Sequence, residues 1–336
     1  MKFGWKGALG IVISVVLLVW TLRDVSMQEV WEVLRHSNVA LLVLSAFVAT
    51  LVFPLRAVRW RVILEPVIDA PFGPLWRSIA IGMMVNNVAP ARAGELARAF
   101  AITREVPSIR FTTAFASLAV DRIIDAVVVV VLLVVAMFFS DIPPTTTING
   151  WTVTKLAWVA GGVAGAALAG VTGVALFPTL VTRVFDALFA RMAPKLHLKG
   201  RAILDALISG FAALRSPGRF VRIVFWAVLM WLVNAVAFYI GFVAVGMEVP
   251  FWAAIFVASL IAIGVAAPSS PGFVGVFEFF AKTGLALYGV SSTLAVGWAL
   301  AFHFIAFIPI TVLGFYYFGR LGMHFKDLGK AQQQAA

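Results

Sequence analysis

The chain has 336 residues, of which 62% are hydrophobic and 12% charged, and its formal net charge is +11 at pH 7. The charged fraction is about half that of an ordinary soluble domain, which excludes two soluble domains and indicates a polytopic helical membrane protein. The basic residues border apolar segments instead of gathering on one soluble face, which argues against nucleic acid and indicates anionic lipid.

The first apolar run, residues 8–20, is short, but no small-residue cleavage pattern follows it. We therefore expect a membrane anchor and not a signal peptide. Ser26 and Glu29 match a capping box and predict a short amphipathic helix in the membrane interface. A second span is expected at residues 39–55, ending in the basic stretch 56–61.

A polar break interrupts the next apolar run after Val85. Residues 86–98 contain two asparagines, a proline, a glycine and three charged side chains. Pro90 removes a backbone donor and Gly94 loosens the chain, so a helix that reaches Val85 should end here. At membrane depth, such broken backbone survives only where it is buried in protein or lines a cavity.

The middle of the chain contains two further apolar runs, residues 111–139 and 151–177, which are both expected to be spans. Residues 179–222 are less apolar and basic, as in amphipathic helices outside the bilayer core. The run at residues 151–177 has several glycines that should permit close helix contact, namely Gly161, Gly162, Gly165 and Gly170.

The last part of the chain repeats the polar break. Spans are expected at residues 223–245 and 294–318, and residues 268–278 between them contain prolines and glycines followed by a glutamate. Two polar breaks in corresponding places of two halves indicate a transport site.

Lysine and arginine positions predict the orientation. Residues 56–110 and 179–222 are densely basic, whereas residues 141–150 carry no basic side chain and residues 246–292 carry only Lys282. With basic loops in the cytoplasm, both termini lie inside and six segments cross the membrane.

The predicted fold is therefore an all-α polytopic membrane protein with about six full transmembrane helices and two re-entrant broken-helix segments. Residues 72–104 would enter from the cytoplasm and residues 251–288 from the outside. A single membrane domain would then contain a first repeat and an inverted second repeat, namely residues 1–140 and 151–320, with a cytoplasmic amphipathic insert at 179–222. The alternative is eight or more ordinary spans that proline and glycine merely kink.

Four patches carry a resemblance to a known family. They are Arg56-x-x-Arg59-Trp60, Asn87-x-x-Pro90-x-Arg92-x-Gly94-Glu95-x-x-Arg98, Asp121-Arg122-x-x-Asp125 and Pro268-x-x-Pro271-Gly272-x-x-Gly275-x-x-Glu278. In this order they resemble the flippase-like membrane domain of lysylphosphatidylglycerol synthases and its stand-alone relatives, over nearly the whole chain. The resemblance implies lipid translocation in a prokaryotic cytoplasmic membrane.

The chain departs from that family in two ways. We expect a stand-alone relative without the soluble aminoacyl-transferase part, which would not make an aminoacylated lipid itself. Phe273 stands where a second glycine or a small residue is expected.

The expected substrate-binding residues are Arg56, Arg59, Asn87, Pro90, Arg92, Gly94, Glu95, Arg98, Pro271, Gly272, Gly275 and Glu278. Arg92, Glu95 and Arg98 are spaced so that neighbours in the set can meet on a helix. Arginine can then fork onto a phosphate while Glu95 holds one arginine in place. The alternative is a salt-bridge cluster that pins a re-entrant loop.

Structural or coupling roles are expected for four charged residues, Asp121, Arg122, Asp125 and Lys282. Asp121 and Asp125 share one helix face, from which Arg122 should point away. We expect this carboxylate pair to bind arginines of the 56–61 stretch.

Glu278 and Lys282 have the spacing of an internal ion pair. Glu278 is an equally good coupling or headgroup-contact residue, because it follows the second break. His303 lies within an apolar span and could shuttle protons, but it is interpreted as a hydrogen-bonded packing residue. Asn234 is interpreted as a contact between helices.

The sequence thus favours a transporter of an anionic amphiphile, either a phospholipid or a polyprenyl-phosphate-linked lipid. It contains no metal-ligand pair, nucleophile elbow or phosphate loop, so we expect no catalytic residues, metal or cofactor. The expected partners are lipids with anionic heads and, potentially, a lipid-modifying enzyme. Two alternatives remain: a membrane-embedded lipid-modifying enzyme, or a non-transporting membrane partner of a lipid-modifying or glycosyltransferase enzyme.

The charge distribution makes the orientation testable with reporter tags. Tags at positions 145 and 290 should report the outside, and tags at 195 and 330 the cytoplasm, because basic loops are retained inside. A cytoplasmic report from position 145 would contradict the inverted repeat.

Overall fold

The computed structural model describes residues 5–89, 93–140, 147–148, 151–190, 200–201, 204–205, 208, 211–267, 269–324 and 326. The helices up to the middle of the chain are α1 Trp5–Leu22, α2 Met27–His36, α3 Val39–Thr50, α4 Val52–Leu64, α5 Phe72–Val88, α6 Gly94–Glu105 and α7 Phe111–Phe139. Those that follow are α8 Val153–Leu176, α9 Pro178–Phe189, α10 Pro217–Ala244, α11 Phe251–Gly264, α12 Val276–Ala286 and α13 Ser292–Arg320. Short 3₁₀ turns span Phe211–Arg215 and Pro271–Phe273, and β1 Thr147–Ile148 pairs antiparallel with β2 Trp151–Thr152.

The membrane character of the fold is visible in four helical stretches that are long and apolar enough to cross a bilayer. They are Val39–Leu64, Phe111–Phe139, Pro217–Ala244 and Ser292–Arg320, and the bent pair α1–α2 is a fifth candidate within the described residues. The polytopic helical architecture expected from the sequence is thereby confirmed. Four of the six predicted crossings correspond to these four stretches, and the other two correspond to α1 and α8.

The bend between α1 and α2 follows from a helix cap. Ser26 accepts a hydrogen bond from the backbone N–H of Glu29, which ends one helix and begins the next. The two axes meet at 81°. The predicted short amphipathic helix is therefore present.

The second span is longer than predicted. It was expected to end at residue 55, but α3 and α4 together continue to Leu64 with only a slight interruption at Leu51. Arg56 and Arg59 therefore lie inside the span and are buried. The helix can continue because carboxylates of α7 face both guanidinium groups.

The first break joins two helices that fold back on each other. Arg77 of α5 pairs with Glu105 of α6, and Asn86 Oδ1 accepts from Gly94 N–H at 2.9 Å. Because residues farther along α5 meet residues earlier in α6, the two helices form an antiparallel hairpin. This agrees with the predicted re-entrant segment at 72–104.

The second break has the same form. Gly264 of α11 lies against Phe280 of α12, and Gly284 of α12 lies against Val257. Small residues at these crossings let the helices approach closely. A second antiparallel hairpin therefore occupies the segment predicted at 251–288.

The halves of the chain pack in a matched way. α10 runs antiparallel to α3 and α4, since Asn38 N–H donates to Ala244 and Ser45 donates to Ala237. The hairpin helix α5 packs on α13, and the hairpin helix α11 packs on α7. Each hairpin thus lies against the last span of the other half, as two oppositely oriented repeats require.

One expectation about α8 is wrong for the described part of the chain. Its glycines were expected to lie at a close helix contact. A β-carbon would meet no described atom within 4 Å at any of the four positions, Gly161, Gly162, Gly165 and Gly170. Glycine spacing alone could not show which face of α8 meets a neighbour.

The close approach of α5 and α6 can be tested at Gly94. A β-carbon at this position would collide with the carbonyl oxygen of Gly82 and with the side chain of Asn86. We expect Gly94→Ala to destabilise the protein by about 1–3 kcal/mol, the usual cost of overpacking. Gly319→Ala is the control, because a β-carbon there meets no described atom within 4 Å. Equal unfolding midpoints in detergent for the two variants would contradict the hairpin packing.

Candidate functional site

The centre of the molecule holds one arginine between two carboxylates. Asp121 and Asp125 are one helical turn apart on α7 and face α4. Arg59 Nη2 lies 2.6 Å from Asp121 Oδ1, and Arg59 Nη1 lies 2.6 Å from Asp125 Oδ1. The Arg59 side chain has no exposed surface. Arg59 thus forms close ion pairs with both carboxylates, although Asp121 Oδ1 and Asp125 Oδ2 accept no hydrogen bond from the described residues.

Two more arginines extend this pair into a network. Arg98 Nη1 is 3.1 Å from Asp121 Oδ2, and Arg56 Nη1 is 3.4 Å from Asp125 Oδ2. The Arg98 guanidinium also stacks 4.0 Å from the ring centre of Trp60, a favourable cation–π position. The network therefore joins α4, α6 and α7.

Arg122 and Glu95 contradict the predicted pairing. Arg122 was expected to point away from the aspartates, but its Nη1 lies 3.7 Å from Asp125 Oδ2, and its Nη2 pairs with Glu95. Glu95 therefore holds an arginine of α7 and not one of its own helix. The first turn of α6 packs against α7, so the partner across the helices is within reach. Pro90 and Arg92 lie outside the described residues.

The cluster carries more positive than negative charge. It contains four arginines and three carboxylates, namely Arg56, Arg59, Arg98, Arg122, Glu95, Asp121 and Asp125. Arg98 Nε and Nη2 and Arg56 Nε are buried and have no hydrogen-bond partner among the described residues. Buried donors of this kind are costly unless a partner satisfies them. The arrangement is suited to an anion.

Asn87 and Gly94 were expected to contact substrate, and the structure gives both a structural partner. Asn87 Nδ2 donates to Thr311 Oγ1 of α13 at 2.7 Å, which ties the first hairpin to the other half. Gly94 N–H is capped by Asn86. A direct role for either residue in substrate binding stays a prediction.

The second break is held in a left-handed backbone conformation. The φ angles are +67° at Gly272, +61° at Phe273 and +88° at Gly275. Glycine adopts such angles freely, whereas a bulky residue such as Phe273 does so at a cost. This explains why a small residue was expected at position 273. Pro271 begins the 3₁₀ turn that contains Gly272.

Glu278 has partners that the sequence did not predict. Its Oε2 accepts from Gly275 N–H at 2.6 Å, and its Oε1 lies 2.6 Å from His303 Nδ1. Lys282, the expected partner of Glu278, pairs with Asp24 and donates to the carbonyl of Thr21 instead. The predicted internal Glu278–Lys282 pair is therefore wrong. No local spacing could have shown that His303 is the partner, since it is 25 residues away.

The Lys282–Asp24 pair lies at the exposed end of α1. The hydrogen bond from Lys282 lowers the pKa of the Asp24 carboxyl below its ordinary value. Lys282 thus holds α12 against the turn that follows α1, consistent with the structural role expected for it.

A cavity of about 250 Å³ lies between the second break and helix α5 of the first hairpin. Its polar lining includes Arg56 and Asn234, so Asn234 faces a cavity. Met83 of α5 contributes from the first hairpin, and Phe273 and Phe277 contribute from the second break. Most of the remaining wall is apolar or aromatic. A second, much smaller space of about 10 Å³ adjoins it at Arg56 and Met83 and is also lined by Glu95, Arg98 and Arg122.

The comparison with known families agrees with this architecture. The family model described as the lysylphosphatidylglycerol synthase TM region matches residues 7–314. The chain belongs to this family. The match includes both breaks and the arginine–carboxylate network, and the resemblance inferred from four sequence patches is confirmed. The protein is therefore a multi-pass membrane protein.

Two relatives show how widely this TM region occurs. The chain is 28% identical over 329 residues to the protein named Glycosyltransferase AglD from Haloferax volcanii, which covers 91% of this chain and 52% of that relative. It is 24% identical over 301 residues to a protein named UPF0104 membrane protein from Methanothermobacter thermautotrophicus, which covers 85% of each. The chain thus spans about half the length of the first relative and most of the second.

The buried network predicts a large difference between two neighbouring arginines. Arg59→Gln leaves two buried carboxylates short of a partner, and we expect a loss of about 3–5 kcal/mol in unfolding free energy. Arg61→Gln breaks only the exposed pair with Asp69, which should cost about 0–1 kcal/mol. Denaturant titrations in detergent measure both. Similar losses would show that Arg59 is not the centre of a buried network.

Proposed function

We propose that this TM-region protein is a lipid transporter that moves an anionic amphiphile across a prokaryotic cytoplasmic membrane. The observation that carries the proposal is the place of Arg56. This residue belongs to the positively charged buried cluster and also lines the cavity between the second break and α5. An anionic head and an apolar chain could therefore be bound side by side.

The charge cluster supports an anionic head. Arginine presents planar donors that match phosphate and carboxylate geometry. Arg56 Nε lacks a partner within the described chain, and one positive charge of the cluster remains uncompensated. A phosphate at Arg56 would supply both the acceptor and the missing negative charge. A phospholipid or a polyprenyl-phosphate-linked lipid fits this chemistry.

The cavity supports passage of the head from one leaflet to the other. Carrying a charged head through hydrocarbon is costly, and a polar position at membrane depth lowers that cost. The apolar chains would stay in the lipid or against the aromatic wall, which includes Phe238 and Phe302. Because both hairpins line the same cavity, a rearrangement of either one changes access to it. Two oppositely oriented repeats around a central site are typical of alternating access.

A second candidate function rests on the relative named as a glycosyltransferase, which the chain matches over about half of that relative's length. The TM region would then hold a lipid-linked substrate for an enzyme without moving it. Localisation in the cytoplasmic membrane, with both termini inside, is part of either proposal and follows from the distribution of basic residues.

Lipid movement in vesicles that contain only this protein tests the proposal. A fluorescent phosphatidylglycerol analogue should cross at least about tenfold faster than a phosphatidylcholine analogue with the same chains, which corresponds to about 1.4 kcal/mol. Both lipids carry the phosphate, but the choline cation cancels its charge, so only phosphatidylglycerol supplies the negative charge that the cluster lacks. Arg56→Gln should remove this preference, and Ala262→Phe should block transfer by filling the cavity that Ala262 lines.

Two matched variants serve as controls. Arg61→Gln changes an arginine of the same helix that does not line this cavity, and Ile263→Phe enlarges the exposed residue next to Ala262. Both should transfer lipid like the unmodified protein. If the unmodified protein transfers lipid no faster than empty vesicles do, the transporter proposal is contradicted and the role of a non-transporting partner is favoured. A change in lipid mass would instead indicate a lipid-modifying enzyme.

A further inference from the structure

The second break is tied to two helices by hydrogen bonds of different kinds. Toward α1, Ser270 N–H donates to Ser14 Oγ at 2.8 Å. Toward α13, the Gly272 carbonyl oxygen lies 2.7 Å from His303 Nε2. The first bond has no titratable partner. The second depends on the protonation state of the histidine.

The bond to Gly272 decides where one proton lies. A backbone carbonyl can only accept, so His303 Nε2 must carry a hydrogen. The opposite ring nitrogen, Nδ1, lies 2.6 Å from Glu278 Oε1, and this contact also needs one proton between its atoms. The Glu278–His303 pair therefore holds two protons in this conformation and carries no net charge, whether written as carboxylate with imidazolium or as carboxylic acid with imidazole.

Loss of one proton removes a tie to α13. If Nε2 keeps its hydrogen, a carboxylate faces the lone pair of Nδ1 at hydrogen-bond distance, which is repulsive. If the hydrogen moves to Nδ1, Glu278 keeps its partner but Nε2 no longer donates to Gly272. In either case the break loses one of its constraints. The backbone at Gly272 and Phe273 is in a left-handed conformation, which persists only while its surroundings hold it.

The pair lies directly behind the wall of the 250 Å³ cavity. Glu278 follows Phe277 and His303 follows Phe302, and both phenylalanines line the cavity. The His303 ring is 4.5 Å from the ring of Phe277, centre to centre. The Glu278 side chain is 2% exposed and that of His303 is 15% exposed. The histidine is thus the more accessible member of the pair, and the glutamate is buried.

The other titratable groups on the packed elements are paired elsewhere or lie at helix ends. Helix α11 has no titratable side chain. The described side chains of α1 include none either, and Arg23 and Asp24 follow directly after that helix. Lys282 of α12 is bonded to Asp24 and Thr21. The remaining such groups on α2, α5, α10 and α13 are Glu29, Glu32, Arg35, His36, Arg77, Arg219, Arg222, Tyr239, Tyr316, Tyr317 and Arg320. Of these, Glu29 bonds Thr293, Arg77 pairs with Glu105 and Arg222 pairs with Glu65.

We propose that Glu278 and His303 form a proton-binding site. With two protons the pair ties the second break to α13, and loss of one proton releases the break from that helix. The proton-binding site does not depend on the proposed transport function. Only its effect on lipid movement rests on that function. There, release of the break would change the wall of the lipid cavity and link lipid movement to a proton. The ligand of this site is the proton itself.

A distance measurement tests the site without any transport assay. The chain has no cysteine, so Val274→Cys and Tyr316→Cys can carry two spin labels at exposed positions. Tyr316 lies about 20 Å along α13 from His303, which suits electron–electron distance measurement in vesicles. One distance is expected at low pH. A second should replace it as the pH rises, over about two pH units for a single proton.

Glu278→Gln is the matched variant, because the amide can donate to His303 Nδ1 and still accept from Gly275 N–H. It mimics the loaded pair, so the labels should keep the low-pH distance at every pH. The double change Glu278→Gln with His303→Leu removes both titratable groups without leaving a buried carboxylate unpaired, and should give the released distance at every pH. The proposal is overturned if the label distance in either variant changes with pH as it does in the parent. It is also overturned if the parent keeps a single distance at every pH.

The transport assay separates this proposal from the proposed function. If the distances respond as expected but no lipid crosses, the proton site stands and the transporter proposal fails. If both hold, the lipid transfer rate should depend on pH in the parent and vary less than about twofold in Glu278→Gln over the same range.

Discussion

The placement of Arg59 between Asp121 and Asp125 is the interaction on which the rest of the site depends. An ion buried in a low-dielectric interior is stable only if its partners satisfy it closely. Two carboxylates on one face of α7 can do so only if α4 runs directly alongside. Arg98 then brings α6 to Asp121, and the first hairpin is anchored at its inner end. The charge requirement of one guanidinium thus sets the relative positions of three helices.

The two breaks share a shape but differ in chemistry. The first is surrounded by fixed charges, because arginine stays protonated at any physiological pH. The second is followed by Glu278, which contacts His303 of α13, and in our proposal this pair can release a proton. A fixed positive charge suits the binding of an anionic head, whereas a removable proton suits a change of conformation. In our proposals, a binding element at Arg56 and a switching element at Glu278 and His303 would therefore act on the same cavity.

Much of the fold followed from local patterns in the sequence. The span at residues 111–139 coincides with α7, and both hairpins occur where proline, glycine and polar residues interrupt apolar runs. The pairing of the aspartates with arginines of the 56–61 stretch was also predictable, because that stretch and Arg110 lie at the same level of the membrane, but the contacts from Arg98 and Arg122 were not predicted. The partners of Glu95 and Glu278 were not predicted either. Each is held across helices, by Arg122 and His303, and sequence spacing shows only which residues share one helix. The glycines of α8 likewise did not show which face of that helix meets a neighbour, because their spacing describes one helix only.

Burial divides the arginines of the network by what they can do. Arg59 has no exposed surface and two partners, so its guanidinium cannot turn toward a ligand without leaving both carboxylates unpaired. The side chain of Arg56 is 10% exposed and makes one longer contact, and that of Arg122 is 39% exposed. An exposed pair is worth little and exchanges partners at small cost. In the proposed transporter, Arg122 would exchange its carboxylate for an anionic head at small cost and Arg56 would offer its unpartnered Nε, while Arg59 would keep the helices together.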